Sequence, residues 1–236
     1  MKIGYASINI WPFVFKGHSS AMRMLSFPDE HIYFNIDIET DAPNIINVTD
    51  LRNRAVAAAI QCECDALLLV DGEVQIPQDT LIKLLNIDAD IVSGTVFRIT
   101  PPFEPLIYVE EGLNINTEPE LARTGSLINV TKIPSGCYLI HRRVWDNLPL
   151  PLFFEESFPG TEQRLEATLS FSKKAYEHEC SLVIDPTIHV ERQAIWTANW
   201  RTWELWRALM RDGILDQIQT LKPQFANLMD EMQNNN

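Results

Sequence analysis

The acid pair Asp71 and Glu73 is the feature of this sequence with the clearest chemical use. Both residues follow a run of four large aliphatic residues at 67–70, and Gly72 between them lets the backbone turn tightly or approach a ligand. Two carboxylates at this spacing can hold one hard cation such as Mg²⁺ or Mn²⁺, which prefers oxygen ligands and keeps positions open for a diphosphate. The same spacing of acids recurs elsewhere in the chain, so the preceding apolar run is what distinguishes this pair.

The elements that must position the acid pair follow from short apolar runs, which predict buried strands at residues 3–8, 32–36, 66–70 and 91–96. Between them, Asp50 is placed to cap a helix over 52–60, and Pro77 opens a second helix with leucines on one face. This alternation predicts an α/β fold with a mostly parallel sheet flanked by helices. Ligands in such sheets bind beyond the carboxyl ends of the strands, where the acid pair stands.

Residues 101–127 are rich in Pro, Glu and Asn, which predicts a long excursion or a small hairpin over the site. Regular patterning then returns, with strands expected at 127–133, 137–140 and 182–184 and helices at 142–148 and 163–178. We expect the sheet to end at residue 184.

The tail from 196 to 232 has a helical pattern and carries four of the six tryptophans. We therefore expect a main domain over 1–193 and a C-terminal helical extension over 194–236. Docking of this Trp-rich helix on the main domain is the first interpretation, and a homodimer formed through it is the second.

The net charge of −13 and the sequence pI near 4.8 restrict the partners of the chain. Such a surface repels nucleic acid and anionic lipid, so an anionic ligand needs a local basic patch or a metal. No basic start followed by a long apolar run and no stretch of about 18 apolar residues is present, which predicts neither export nor membrane insertion. We expect a cytoplasmic location.

Several segments between residues 49 and 189 resemble, in order and spacing, nucleotide-sugar glycosyltransferases of the inverting family-2-like superfamily, which includes bacterial and phage relatives. The likeness rests on the acid pair and on further segments, which read LRNRA at 51–55, IPQDTL at 76–81, DIVSGTVFR at 90–98, SGCYLIHRR at 135–143 and LVIDPTIH at 182–189. The resemblance implies a GT-A fold, which is Rossmann-like, over residues 1–193.

The resemblance also implies a reaction, in which a sugar moves from a nucleoside-diphosphate sugar to an acceptor hydroxyl. It implies that Mn²⁺ or Mg²⁺ is held by a triad, and a metal stabilises a departing diphosphate as a Lewis acid. The residues implicated by family likeness or by position are Asp71, Glu73 and His189 for the metal, Arg52, Asn53, Arg54, Arg98 and Asn9 for the nucleotide, and Gly136 in the small-residue loop on the acceptor side.

The acceptor stays open among a polysaccharide, a lipid carrier, a small metabolite and a hydroxymethylated DNA base. A DNA acceptor requires a basic strip on this acidic protein. The residues available for such a strip are Lys16, Arg23, Arg142, Arg143, Lys173, Lys174 and Arg192.

The general base is where the sequence departs from its relatives. In relatives an acid pair opens the helix before the last strand, whereas Ala167 and Thr168 stand at those positions here. Glu166 lies one residue away and Glu162 a turn earlier, and a base must come within hydrogen-bond reach of the hydroxyl. Three interpretations follow: a base at Glu166 or Glu162, a retaining mechanism, or a catalytically degenerate relative that binds sugar or nucleotide. A nucleotidyltransferase is disfavoured, because residues 7–12 form no Gly-rich basic loop.

Overall fold

A computed structural model describes residues 1–8, 16–36, 47–111, 116–157, 164–193 and 197–211. Its main sheet has the strand order β2 (Ile32–Asn35), β1 (Lys2–Ile8), β3 (Ala66–Asp71), β7 (Cys137–His141), β5 (Ile91–Val96), β10 (Leu182–Gln193) and β11 (Thr197–Ala198). The short strands β4 (Val74–Gln75) and β6 (Ile128–Asn129) pair with β10, and β8 (Glu156–Ser157) pairs with β9 (Arg164–Leu165) separately.

The strands β2, β1, β3, β5 and β10 run in one direction, and β7 runs antiparallel to both of its neighbours. All six residues of β3 are buried, because helices cover both faces of the sheet. The predicted α/β class and mostly parallel sheet are confirmed.

The two faces of β3 supply two separate cores. Leu67 and Leu69 face one core together with α2 (Val48–Gln61), α4 (Arg142–Asn147) and α5 (Ala167–Glu177). Leu68 and Val70 face the other core with α1 (Lys16–Met24) and α3 (Thr80–Leu85). Each fully buried leucine stabilises the fold by about 1.5–3 kcal/mol relative to exposure, so this alternation fixes the register that carries Asp71 to the strand end.

Three predicted helix starts are corrected, and one of them is that of α5, which begins at Ala167 and not at residue 163. Asn47 caps α2, since its side chain accepts a hydrogen bond from Thr49 N at 2.9 Å, and the helix therefore begins four residues before the predicted 52. The helix predicted to open at Pro77 begins at Thr80, because Thr80 N bonds to Pro77 O at 3.2 Å in a turn that precedes it.

The sheet also continues beyond the predicted end at 184, and this prediction is wrong. A register shift between Asp185 and His189 absorbs Pro186, after which Ile188 and Val190 are again buried. The strand β10 thus extends to Gln193 and reaches the neighbourhood of Glu73, whose carbonyl accepts a bond from Gln193 N at 2.7 Å.

The excursion at 101–127 contains a 3-10 helix at Pro119–Thr124. After β10, α6 (Trp200–Arg211) packs Trp203 against Phe97 and Ala198, which is the docked arrangement expected of the Trp-rich helix. The domain boundary at 193/194 and a homodimer through α6 stay predictions. None of the helices within the described stretches is long and apolar enough to cross a membrane.

Candidate functional site

A cavity of about 560 Å³ opens where β1 and β3 end, at the edge of the sheet where ligands bind in folds of this class. The cavity is lined by residues from both strand ends, the start of α2, the start of α5 and the end of β10. The lining residues are Ile8, Asn47, Val48, Thr49, Arg52, Asp71, Glu73, Ser135, Glu155, Glu166, Ala167 and Arg192.

A buried ion pair forms the floor of the cavity. Asp71 is the last residue of β3 and is 6% exposed, and both of its carboxylate oxygens accept bonds from Arg52 Nη2, at 3.0 and 2.9 Å. Burial works against the charge on Arg52, but the carboxylates of Asp71 and Glu166 raise its pKa, so the guanidinium stays charged. Burial raises the pKa of the Asp71 carboxyl, and Arg52 opposes that effect.

Arg52 also links β3 to the start of α5. Its Nη1 donates to Glu166 Oε1 at 3.0 Å, and the same oxygen accepts bonds from Thr168 Oγ1 at 3.0 Å and from Thr168 N at 3.4 Å. Glu166 is the N-cap of α5, which favours a carboxylate there. Thr168 stands where the resembled family carries an acid, and it orients the glutamate beside it. Glu166, 45% exposed at its side chain, therefore faces the cavity with a fixed carboxylate.

Glu73 is paired with Arg192, whose Nη2 donates to Glu73 Oε1. The backbone fixes this neighbourhood, because Arg192 lies opposite Val74 in the β4–β10 ladder. From the sequence, Arg192 is expected only in a basic strip, because the strand that carries it is predicted to end at residue 184. The signal that could have found it is the alternation of buried Ile188 and Val190 in the residues that follow Pro186.

His189 does not line the cavity, and its ring stacks on Trp200 with centroids 5.4 Å apart and an interplanar angle of 7°. Over the described stretches, no three side chains of the His, Cys, Asp or Glu types gather as a metal centre. The structure thus brings Asp71 and Glu73 to one cavity, each paired with an arginine, and leaves His189 apart from them. The predicted metal triad stays a prediction.

The other predicted site residues have mainly structural contacts. Asn53 clamps the backbone of Phe153, donating to its carbonyl at 2.9 Å and accepting from its amide at 3.0 Å. Arg98 pairs with Glu104 at 2.8 Å. Neither residue lines the cavity.

Arg54 is exposed and lies 3.5 Å from Asp50. The carbonyl of Gly136 accepts the Asp71 amide at 2.7 Å, so this glycine supports the acid pair from its backbone. Asn9 and Glu162 lie outside the described residues.

No protein-family model matches the sequence, and no curated protein matches it. Among solved structures, the chain is similar to A197 from STIV, at 12% identity and a TM-score of 0.54, with 82% of this chain and 86% of that one covered. It is also similar to GalNAc-T7 crystallised with UDP, GalNAc and Mn²⁺, at 12% identity and a TM-score of 0.46, covering 80% of this chain and 43% of that one.

A third similar structure is a glycosyltransferase involved in the glycosylation of the major capsid of PBCV-1, at 11% identity and a TM-score of 0.31, with 61% and 62% covered. Glycosyltransferases are therefore among the solved structures that this chain matches. The TM-scores of the two glycosyltransferases lie below 0.5, so the likeness in fold rests on A197 from STIV, and at 12% identity it concerns the fold alone.

Proposed function

We propose that this chain is a glycosyltransferase that moves a sugar from a nucleoside-diphosphate sugar to an acceptor hydroxyl in the cavity beyond β1 and β3. The observation that carries the proposal is the convergence of Asp71, Glu73 and Glu166 with Arg52 and Arg192 at the carboxyl edge of the sheet. Acids at that edge offer cation ligands and a proton acceptor, and arginines offer planar donors to phosphate oxygens.

The charge balance of the cavity favours a divalent cation. Two arginines in the lining face four acids, which are Asp71, Glu73, Glu155 and Glu166, so a diphosphate would meet surplus negative charge. Mn²⁺ or Mg²⁺ held by Asp71 and Glu73 would neutralise that surplus, and when bound it would supply Lewis-acid stabilisation of the departing diphosphate. His189 as a third ligand would have to reach this cavity, which its side chain does not line.

Glu166 is the base in this proposal. Arg52 and Thr168 hold one of its oxygens, which orients the carboxylate at the rim of the cavity. Glu166 would take the proton of the acceptor hydroxyl while that oxygen bonds to the anomeric carbon and the bond from the sugar to the diphosphate breaks. This direct displacement predicts inversion at the anomeric carbon.

The acceptor is better sought among sugars and small molecules than in DNA. Arg142, Arg143, Lys173 and Arg192 each pair with an acidic side chain. Arg142 N also bonds to Asp65 O, which places the Arg142–Arg143 pair at the opposite edge of the sheet from Asp71. These residues therefore do not support a continuous basic strip around the cavity.

Calorimetric titration of a panel of UDP- and GDP-sugars tests the proposal, first with Mn²⁺ and then with EDTA. We expect binding that depends on Mn²⁺ in the wild type and is lost in Asp71→Ala, whereas Arg142→Gln at the far edge of the sheet should bind as the wild type does. Absence of binding by every donor in the presence of Mn²⁺ would contradict the proposal.

A degenerate binding protein is the second candidate, because Ala167 and Thr168 replace the acids that relatives carry. It predicts nucleotide-sugar binding without turnover in any acceptor screen. Slow hydrolysis of the bound donor by the wild type, reduced in Glu166→Gln with unchanged donor affinity, would exclude it. The anomeric configuration of the product, measured by NMR, separates inversion from retention.

A further inference from the structure

The two carboxylates assigned to the cation each already hold an arginine, and the two ion pairs differ in their surroundings. Arg52 is almost fully buried, with 3% of its side chain exposed, and it bonds to both Asp71 and Glu166. Arg192 and Glu73 are partly open, with 21% and 19% of their side chains exposed. Arg52 is thus fixed by packing and by two partners, whereas the Arg192 side chain can move into the cavity that it lines.

We propose that Arg192 is an internal counter-cation that holds Glu73 while the donor is absent and changes partner when the donor binds. In the exchange, Glu73 turns to the divalent cation and Arg192 turns to a phosphate oxygen of the donor. This inference rests on the proposed function and concerns the order and coupling of binding at the same site.

The reason for the exchange is the cost of an unpaired charge in a sheltered place. A cation that arrives alone must displace the guanidinium from Glu73, so Arg192 loses the ion pair that it holds in the free protein while it stays in a partly desolvated cavity. A diphosphate supplies the replacement anion, and the planar fork of arginine suits its oxygens. Cation and diphosphate therefore bind cooperatively, and by linkage each strengthens the other by the same factor.

The backbone allows this exchange without rearrangement of the sheet. Arg192 is held opposite Val74 in the ladder, and Gln193 N bonds to the carbonyl of Glu73 at 2.7 Å. The two side chains therefore stay neighbours whichever partner each one holds. Only side-chain torsions of Arg192 and Glu73 have to change.

The test measures the affinity for Mn²⁺ alone, from the signal of free Mn²⁺ in electron paramagnetic resonance. Arg192→Gln is compared with the wild type and with Arg142→Gln, which removes the same charge at the opposite edge of the sheet. We expect Arg192→Gln to bind Mn²⁺ roughly tenfold more tightly, equivalent to about 1.4 kcal/mol, and Arg142→Gln to match the wild type. Arg192→Met, which keeps an unbranched stem without the charge, gives the same comparison should the glutamine variant fail to fold.

A second arm adds UDP or GDP, whichever the wild type binds. The diphosphate should strengthen Mn²⁺ binding in the wild type and strengthen it less in Arg192→Gln, which should also bind the nucleotide more weakly. Equal Mn²⁺ affinity in the wild type and the Arg192 variants, or no Mn²⁺ binding by any of them, overturns the inference. The proposed function fails by a different result, the absence of nucleotide-sugar binding, so the two failures are distinguishable.

Discussion

Replacement of Arg52 by methionine removes the cation that balances Asp71 at the floor of the cavity. Asp71 then keeps its buried position with neither of its two bonds to Nη2, and Glu166 loses the bond to Nη1. Breaking a buried ion pair from one side costs about 3–5 kcal/mol, because the remaining charge is uncompensated. A fold of ordinary stability, about 5–15 kcal/mol, would lose a large fraction of its free energy of unfolding.

Urea unfolding followed by circular dichroism measures this loss. With a slope of about 1–3 kcal/mol per molar urea, the midpoint should fall by roughly 1–5 M. Arg54→Met is the matched control on the same helix, since its exposed pairing with Asp50 is worth about 0.5 kcal/mol or less.

The double variant Arg52→Met with Asp71→Leu leaves no buried charge at this position, so it should recover most of the lost stability. The loss of stability in Arg52→Met relative to the wild type should also become smaller as the pH falls from 7 towards the ordinary range of carboxyl pKa values. Burial raises the pKa of Asp71 and Arg52 opposes this, so without Arg52 the folded protein takes up the proton before the unfolded chain does. A loss below about 1 kcal/mol, or a double variant no more stable than the single one, would refute the reasoning.

Three further predictions concern separate sites. Glu166→Gln should lower turnover by about 10²–10⁴-fold with donor affinity retained, as measured by release of the diphosphate. Burial lowers the pKa of His18, so the folded state resists its protonation and the free energy of unfolding should fall as the pH drops below about 6.5. In His18→Gln this pH dependence should be smaller, as measured by urea midpoints at pH 7 and 5.5. Gly136→Ala should lower the free energy of unfolding by about 1–3 kcal/mol in thermal unfolding, because φ is +147° and a Cβ would lie 2.8 Å from Val96 Cγ2. Gly125→Ala is the control and should cost less, since φ is +69° and a Cβ there would have no atom within 4 Å.

The strand that ends at Asp71 was predictable because a run of aliphatic residues has one stable location in an α/β fold, the buried centre of the sheet. Its neighbours along the chain followed from the same local signal. The cap of α2 could not be predicted from the local sequence, because Asn47 and Asp50 are both suitable cap residues and lie three positions apart. The choice between them depends on where the chain enters the helix.

Contacts between residues that are far apart in the chain could not be predicted from the sequence pattern. Glu73 and Arg192 are 119 residues apart, and their contact depends on the β4–β10 ladder and on the shift that carries β10 past Pro186. Arg52 was placed near the nucleotide by family likeness, but its partners Asp71 and Glu166 come from two other elements. The stacking of His189 on Trp200 depends on how α6 docks, which no local signal specifies.

The position of β7 in the sheet has a consequence for how the chain acquires its structure. This strand lies between β3 and β5, although the chain supplies it only after both of them, and its register joins Ala66 to His141. Until residue 141 has been synthesised, β3 and β5 each present an unpaired edge in what becomes the middle of the sheet. Assembly of the sheet therefore waits for the second half of the chain, and these long-range pairings make folding slow and a nascent fragment prone to aggregate.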